Sequence, residues 1–163
     1  MLSSPNNQSA KANGVRPMRI TTKGEYGIRA LLELAQRYGE GPVPSAVIAA
    51  AQHVPENYLD QILLLLRRAG LIRSIRGPAG GHMLARAPEE INLGEVLAVL
   101  EGTFEPMECV NPDFSDCMLL ESCTIRRVWR ELKHVTDEVL YSTTLAHLVE
   151  QSQPRTEQLI YFI

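Results

Sequence analysis

The chain has 163 residues, 45% of them hydrophobic, a formal net charge of −3 and three cysteines, which suits one domain of ordinary size with a buried core and room for an appendage. No apolar run approaches the ~20 residues that a membrane-spanning helix requires, and an odd number of cysteines argues against a structural disulfide framework. Residues 1–17 are rich in Ser, Asn, Gln and Ala without the apolar centre of a secretory signal, so a disordered leader and a cytoplasmic protein are expected.

The small net charge conceals a division. Residues 16–86 hold ten Lys/Arg against five Asp/Glu, whereas residues 87–163 hold five against fourteen. A basic first half and an acidic second half confine any attraction for polyanions to one end of the molecule.

In chain order, residues 18–101 are expected to form a winged helix-turn-helix domain. A first helix is predicted from Lys23 to Tyr38, with Ile28, Leu31, Leu32 and Ala35 as its buried stripe and Tyr26 as core packing. Gly39-Glu40-Gly41-Pro42 breaks the chain. Ser45 opens a short second helix through Ala51, with Val47 and Ile48 inward. Gln52-His53-Val54 is the turn, His53 being plain surface, and Pro55 suits the first position of a third helix. In that helix Leu59, Ile62, Leu63 and Leu66 recur at i, i+3, i+4 and i+7, which puts them on one face. Asn57, Asp60, Gln61 and Arg68 fall on other sides, and Gly70 ends the helix as a left-handed cap.

Leu71–Ile75 and His82–Ala85 are short apolar-rich runs joined by Arg76-Gly77-Pro78-Ala79-Gly80-Gly81, the pattern of a hairpin with a flexible basic tip. A helix with a polar outer face followed by such a hairpin is how a winged helix reads double-stranded DNA: the helix enters the major groove and the wing lies on phosphates or in the minor groove. The plain alternative is a helix–hairpin unit in an α+β domain.

After a connector at Pro88 to Ile91, Leu93–Leu100 is predicted as a fourth helix with Val96, Leu97 and Leu100 inward, ended by Gly102. Residues 102–123 form a loop holding Cys109, Cys117 and Cys123. Over 123–150 one long helix is predicted. Its Ile125, Val128, Leu132, Val135 and Val139 are spaced 3, 4, 3, 4, a coiled-coil seam. No other helix of the chain is free to fill that seam, so a homodimer is expected. Residues 151–163 are a C-terminal tail, with Pro154 ending reliable order and an apolar Leu159–Ile163 of no evident role.

The cysteines are clustered in a Pro-, Asp- and Glu-bearing loop, where core filler would not be found. Zinc usually takes four N or S ligands with a C-x2-C clip, which is absent. Thiolates grouped on a loop suit an iron–sulfur cluster. An enzyme is not expected, nor a small-molecule substrate: there is no nucleophile–base pair, and Gly80-Gly81 opens no helix that would cradle a phosphate.

Met18-Arg19-Ile20-Thr21-Thr22-Lys23-Gly24-Glu25-Tyr26, Tyr58-Leu59-Asp60-Gln61-Ile62-Leu63, the segment Ala69 to His82 with its R-G-P-x-G-G wing, and the three downstream cysteines together closely resemble the Rrf2 family of bacterial winged-helix regulators over residues 18–150. The resemblance implies a mostly α fold with a small β wing and a long dimerisation helix. It also implies a dimeric transcription factor, usually a repressor, whose DNA affinity follows a [2Fe-2S] or [4Fe-4S] cluster sensing iron, redox state or nitric oxide. The C-x7-C-x5-C spacing looks most like the iron-responsive branch.

Carried over by position, Asn57, Tyr58, Asp60 and Gln61 would face the major groove, Thr22 and Lys23 would touch phosphate, and Arg76 would enter the minor groove from a wing formed with Gly77, Gly80, Gly81 and His82. Adenine edges suit Asn57 and Gln61; Tyr58 has packing at the helix start as its alternative. Cys109, Cys117 and Cys123 would hold the cluster. Some relatives use a histidine three residues after the last cysteine, which here is Arg126. Others use a carboxylate near the start of the partner's first helix, which corresponds to Glu25; an exposed helix-start acid is the bland reading of that residue. Glu108, Asp113, Asp116 or a small thiol are further candidates. The competing functions are a cluster-free regulator using thiol redox or a partner protein, and a metal-stabilised interaction module that binds no DNA.

Overall fold

A computed structural model of the chain describes residues 20–152; the expected leader and most of the C-terminal tail lie outside the described residues. Six helices and one two-stranded sheet follow in the order α1 (Thr22–Gln36), α2 (Ser45–Gln52), α3 (Glu56–Arg68), β1 (Ile72–Ile75), β2 (Gly81–Leu84), α4 (Leu93–Leu100), α5 (Thr124–Ser142) and α6 (Leu145–Ser152). Short 3-10 turns sit at Pro88–Glu90 and Glu108–Val110. This is the expected mostly α architecture with a small β wing.

α1 is the central post, packed against α2, α3, α4 and α6. Thr21 caps it, its hydroxyl accepting from the Lys23 N–H, which satisfies one of the donors a helix start leaves free. With neighbours on several sides the buried face is broader than a single stripe. Ala30, Leu31, Leu34 and Ala35 are buried, while Ile28 is only partly buried against the core and Leu32 is intermediate. The expected stripe was therefore displaced toward Ala30 and Leu34.

The turn from α2 to α3 is made by His53, the one described non-glycine residue with positive φ, at 53°. In α2 Ile48 is fully buried and Ala49 nearly so, but Val47 is 39% exposed and not inward as expected. The helix lays only its Ile48–Ala49 edge on the core. Pro55 sits one residue earlier than expected, as the N-cap of α3, where its carbonyl accepts from Tyr58 and Leu59.

In α3 the buried residues are Leu59, Ile62, Leu63 and Leu66, the set predicted from their spacing. Each such side chain contributes about 1.5–3 kcal/mol. Gly70 follows at φ +75, as a left-handed cap should. The wing pairs β1 with β2 antiparallel, from Ile72↔Leu84 to Ile75↔Gly81. Val43 adds a bridge on the far side of β2: its N–H donates to the His82 carbonyl and its carbonyl accepts from the His82 N–H, both at 2.8 Å. Gly81 runs so close to Val43 and Pro44 that a Cβ there would collide with their backbone, so the wing root is stitched to the segment before α2.

The expected single long helix is two helices. α5 ends at Ser142, and Thr143 and Thr144 are extended before α6 begins. Two forces break it. The Ser142 and Thr143 hydroxyls both turn back to the Val139 carbonyl, competing with the helical ladder. The freed backbone then pairs with the connector before α4: Leu93 N–H donates to the Thr143 carbonyl and Leu145 N–H to the Ile91 carbonyl, each at 2.9 Å. Thr144 caps α6 through its hydroxyl, and Leu145 is fully buried. α6 thus returns to pack on α1, while α5 packs mainly on α4 and the Glu108–Val110 turn.

Candidate nucleic-acid interface and cysteine loop

Opposite its buried face, α3 exposes Asn57, Asp60, Gln61 and Leu64, which repeat the i, i+3, i+4, i+7 spacing on the outer side. Tyr58 is half-buried, its ring edge-on to Tyr26 with centroids 5.9 Å apart, a packing contact at the start of the helix. Thr22 is exposed and Lys23 half-exposed at the start of α1, while Arg76 and Gly77 are exposed at the wing tip. These candidates come from α1, α3 and the wing, the three elements of a winged helix that contact a duplex.

Between α3 and the wing runs a cavity of about 220 Å³ lined by Asp60, Leu63, Leu64, Arg67, Ser74 and His82. The Ser74 hydroxyl lies 3.0 Å from His82 Nδ1. Burial lowers the His82 pKa from the usual imidazole range, Asp60 pulls it back up and Arg67 adds to the depression. Arg67 and Ser74 were not singled out from the sequence; their signal is the i+7 step from Asp60 and the cross-strand pairing of Ser74 with His82.

Not every cation of the basic half is free. Arg29 pairs with Glu25, Arg37 with the buried Glu33, and Arg86 with Glu95. Lys23, Arg67, Arg68, Arg73 and Arg76 make no ion pair among the described residues. The unneutralised charge therefore lies on α1's first turn, the end of α3 and the wing.

In the loop before α5, Cys109, Cys117 and Cys123 line one cavity of about 560 Å³ together with Glu108, Phe114, Asp116, Ile125 and Trp129. All three are free thiols, Cys117 exposed and the other two half-buried. The loop brings them to one cavity without converging them: among the described residues no three His, Cys, Asp or Glu side chains are close enough to hold a metal ion. Arg126, three residues after Cys123, clamps the loop. Its Nε donates to the Cys109 carbonyl at 2.7 Å and Nη1 to the Leu120 carbonyl at 3.1 Å. Glu25 is about half exposed and bonded to Arg29 at 2.9 Å.

The family model described as Rrf2, iron-dependent transcriptional regulator, matches residues 20–151. The chain belongs to the Rrf2 family. It is 37% identical over 146 residues to the HTH-type transcriptional regulator CymR of Bacillus subtilis, covering 90% of this chain and 100% of that one. It is 35% identical over 136 residues to the regulator IscR of Erwinia tasmaniensis, covering 83% and 81%. The solved structure of CymR (YrzC), the global cysteine regulator of B. subtilis, superposes with a TM-score of 0.71 at 38% identity over 83% of this chain and 98% of that one. As an Rrf2 member of winged-helix fold, the chain is a DNA-binding transcriptional regulator. That removes the interaction module without DNA binding. Among the described residues no helix is long and apolar enough to cross a membrane.

Proposed function

We propose that this Rrf2 protein is a dimeric cytoplasmic repressor whose affinity for a double-stranded operator is set by an iron–sulfur cluster on Cys109, Cys117 and Cys123. The observation that carries the reading is the position of the cysteine cavity. Its wall includes Ile125, the first residue of the apolar seam on α5, so whatever changes in the cavity acts next to the surface that would join two protomers.

In donor chemistry the cavity fits such a cluster: three soft thiols at one cavity, with the carboxylates of Glu108 and Asp116 on the same wall. Because the thiols do not converge, binding would draw the loop inward around them. A [2Fe-2S] or [4Fe-4S] cluster, when bound, would supply a centre whose loss or oxidation reports iron, redox state or nitric oxide. Glu25 of the opposite protomer is the proposed fourth ligand. Its ion pair with Arg29 is a solvent-exposed one, weak enough to be exchanged. Glu108, Asp116 and, in the same loop, Asp113 are the candidates from within the chain.

On the DNA side, Asn57 and Gln61 would read adenine edges and Asp60 would accept from a cytosine amino group. Arg76 would read a narrow minor groove, Thr22 and Lys23 would hold phosphate, and Tyr58 would set the α3 start against Tyr26. Gly77, Gly80, Gly81 and His82 would shape the wing.

A second reading has its own support: the likeness to CymR, a cysteine regulator, and the unconverged thiols favour a cluster-free protein that responds through thiol redox or a partner protein. Anaerobic purification with absorption spectroscopy and iron and sulfide assays separates the two. Wild-type protein is expected to be brown with stoichiometric iron and sulfide, and Cys117→Ala to be colourless yet folded. A wild-type protein without sulfide after reconstitution would establish the second reading. A Cys117→Ala protein that kept its chromophore would overturn the ligand assignment.

A further inference from the structure

Glu101 stands where α4 gives way to the cysteine loop. It is the C-cap of α4, its N–H bonded to the Leu97 and Ala98 carbonyls, and Gly102 then turns the chain away at φ +95. Its side chain crosses to the beginning of α1. There a single oxygen, Oε1, accepts from the Thr21 N–H at 3.1 Å, the Thr21 hydroxyl at 2.5 Å and the Gly24 N–H at 2.9 Å. The two N–H groups belong to the donors that a helix start leaves unsatisfied, and a carboxylate is the group the positive end of the helix favours.

The fit depends on glycine. A Cβ at Gly24 would lie 2.6 Å from Oε1, and a Cβ at Gly27 would run into Leu100 Cδ1. Two successive residues at the end of α4 are thereby registered against two glycines nearly one turn apart on α1. Charge-assisted bonds of this kind are short and directional, so the α4 end and the α1 start move together.

Thr22 and Lys23, the proposed phosphate contacts, lie between Thr21 and Gly24, and Glu25 follows. We infer that Glu101 is a positioning residue that couples the cysteine loop to the DNA-facing start of α1. A loop drawn inward around its thiols pulls on the last turn of α4, and Glu101 passes that displacement to the α1 first turn. The inference rests on the reading that the loop thiols control DNA binding.

The test uses the full chain and a duplex selected by the wild-type protein from random-sequence DNA. Affinity is measured by fluorescence anisotropy in three loop states: free thiols, iron- and sulfide-reconstituted, and iodoacetamide-alkylated. The wild type is expected to differ by about 5-fold or more between free thiols and at least one other state, the lower end of ordinary coupling between sites. Glu101→Ala and Gly24→Ala should reduce that ratio to about 2-fold or less, while Glu101→Gln, whose carboxamide oxygen still accepts, should keep most of it. A residue that merely caps α1 would lower thermal stability and weaken binding equally in all states. A full wild-type ratio in both alanine variants would therefore overturn the inference. Should Glu101→Ala fail to fold, Gly24→Ala carries the test, because its methyl meets only the far end of a flexible side chain. A wild type with equal affinity in every state would instead refute thiol control itself, and the coupling with it.

Discussion

The Arg126 guanidinium holds two carbonyls of the cysteine loop, those of Cys109 and Leu120. It anchors the loop to α5 without occupying the thiols. Arg126→Ala should cost about 1.5–3 kcal/mol, the range for hydrogen bonds to a charged group, and should speed alkylation of Cys109 by iodoacetamide; an unchanged rate would show that the clamp does not restrain the loop. His82 makes a different prediction. Burial depresses its pKa, so the folded protein binds this proton more weakly than the unfolded chain does. Its contribution to stability is complete above the ordinary histidine range and is lost as pH falls through that range toward the lowered folded value. His82→Gln should flatten this part of the profile in urea unfolding between roughly pH 8 and pH 5. An unaltered slope would place the pH dependence elsewhere.

At the scale of elements, the wing would rest its proposed DNA contacts on few side chains. Arg76 is exposed at the tip beyond a hairpin rooted on Val43, so truncating it leaves the fold intact. Arg76→Ala should weaken binding to the selected duplex by about 1–3 kcal/mol and relax sequence preference at the flanks; equal loss on all sequences would make it a phosphate contact only. Elements whose periodicity settles their burial were legible in the sequence. The four buried residues of α3, the hairpin and the limits of α4 follow from apolar spacing and glycine punctuation. The displaced α1 stripe was not legible, because α1 is covered on several sides and spacing locates only one. Nor was the end of α5. Ser142-Thr143-Thr144 contains hydroxyl groups that compete with helix, but the decisive partner is the backbone at Ile91 and Leu93, some fifty residues away in the chain. Of the cysteine site, the loop and its three thiols could be read from sequence; the Arg126 clamp could not, since its partners are main-chain carbonyls that carry no side-chain signature.

For the whole molecule, the break after Ser142 changes what α5 is for. α6 completes the core around Leu145, and α5 buries none of its own residues within the chain. Ile125, Val128, Leu132, Val135 and Val139 remain 44–59% exposed along one face, too long an apolar seam for a free surface. A second copy would supply the matching seam at the same spacing, and two antiparallel or parallel α5 helices would set the distance between two α3 reading heads. Leu132→Glu puts a charge at the middle of that seam. Sedimentation velocity should then show a monomer where the wild type is a dimer, with circular dichroism unchanged because Leu132 contributes nothing to the core. DNA binding offers an independent check on the same prediction. The unpaired cations of the basic half lie on each protomer's α1, α3 and wing, so a dimer would neutralise about twice the phosphates of a monomer. Since the slope of log K against log salt scales as about −0.9 per phosphate contacted, Leu132→Glu should roughly halve the wild-type slope. A variant that is monomeric yet keeps the full slope would mean that one protomer makes all the DNA contacts, and a wild type that is itself monomeric would leave the seam to some other partner.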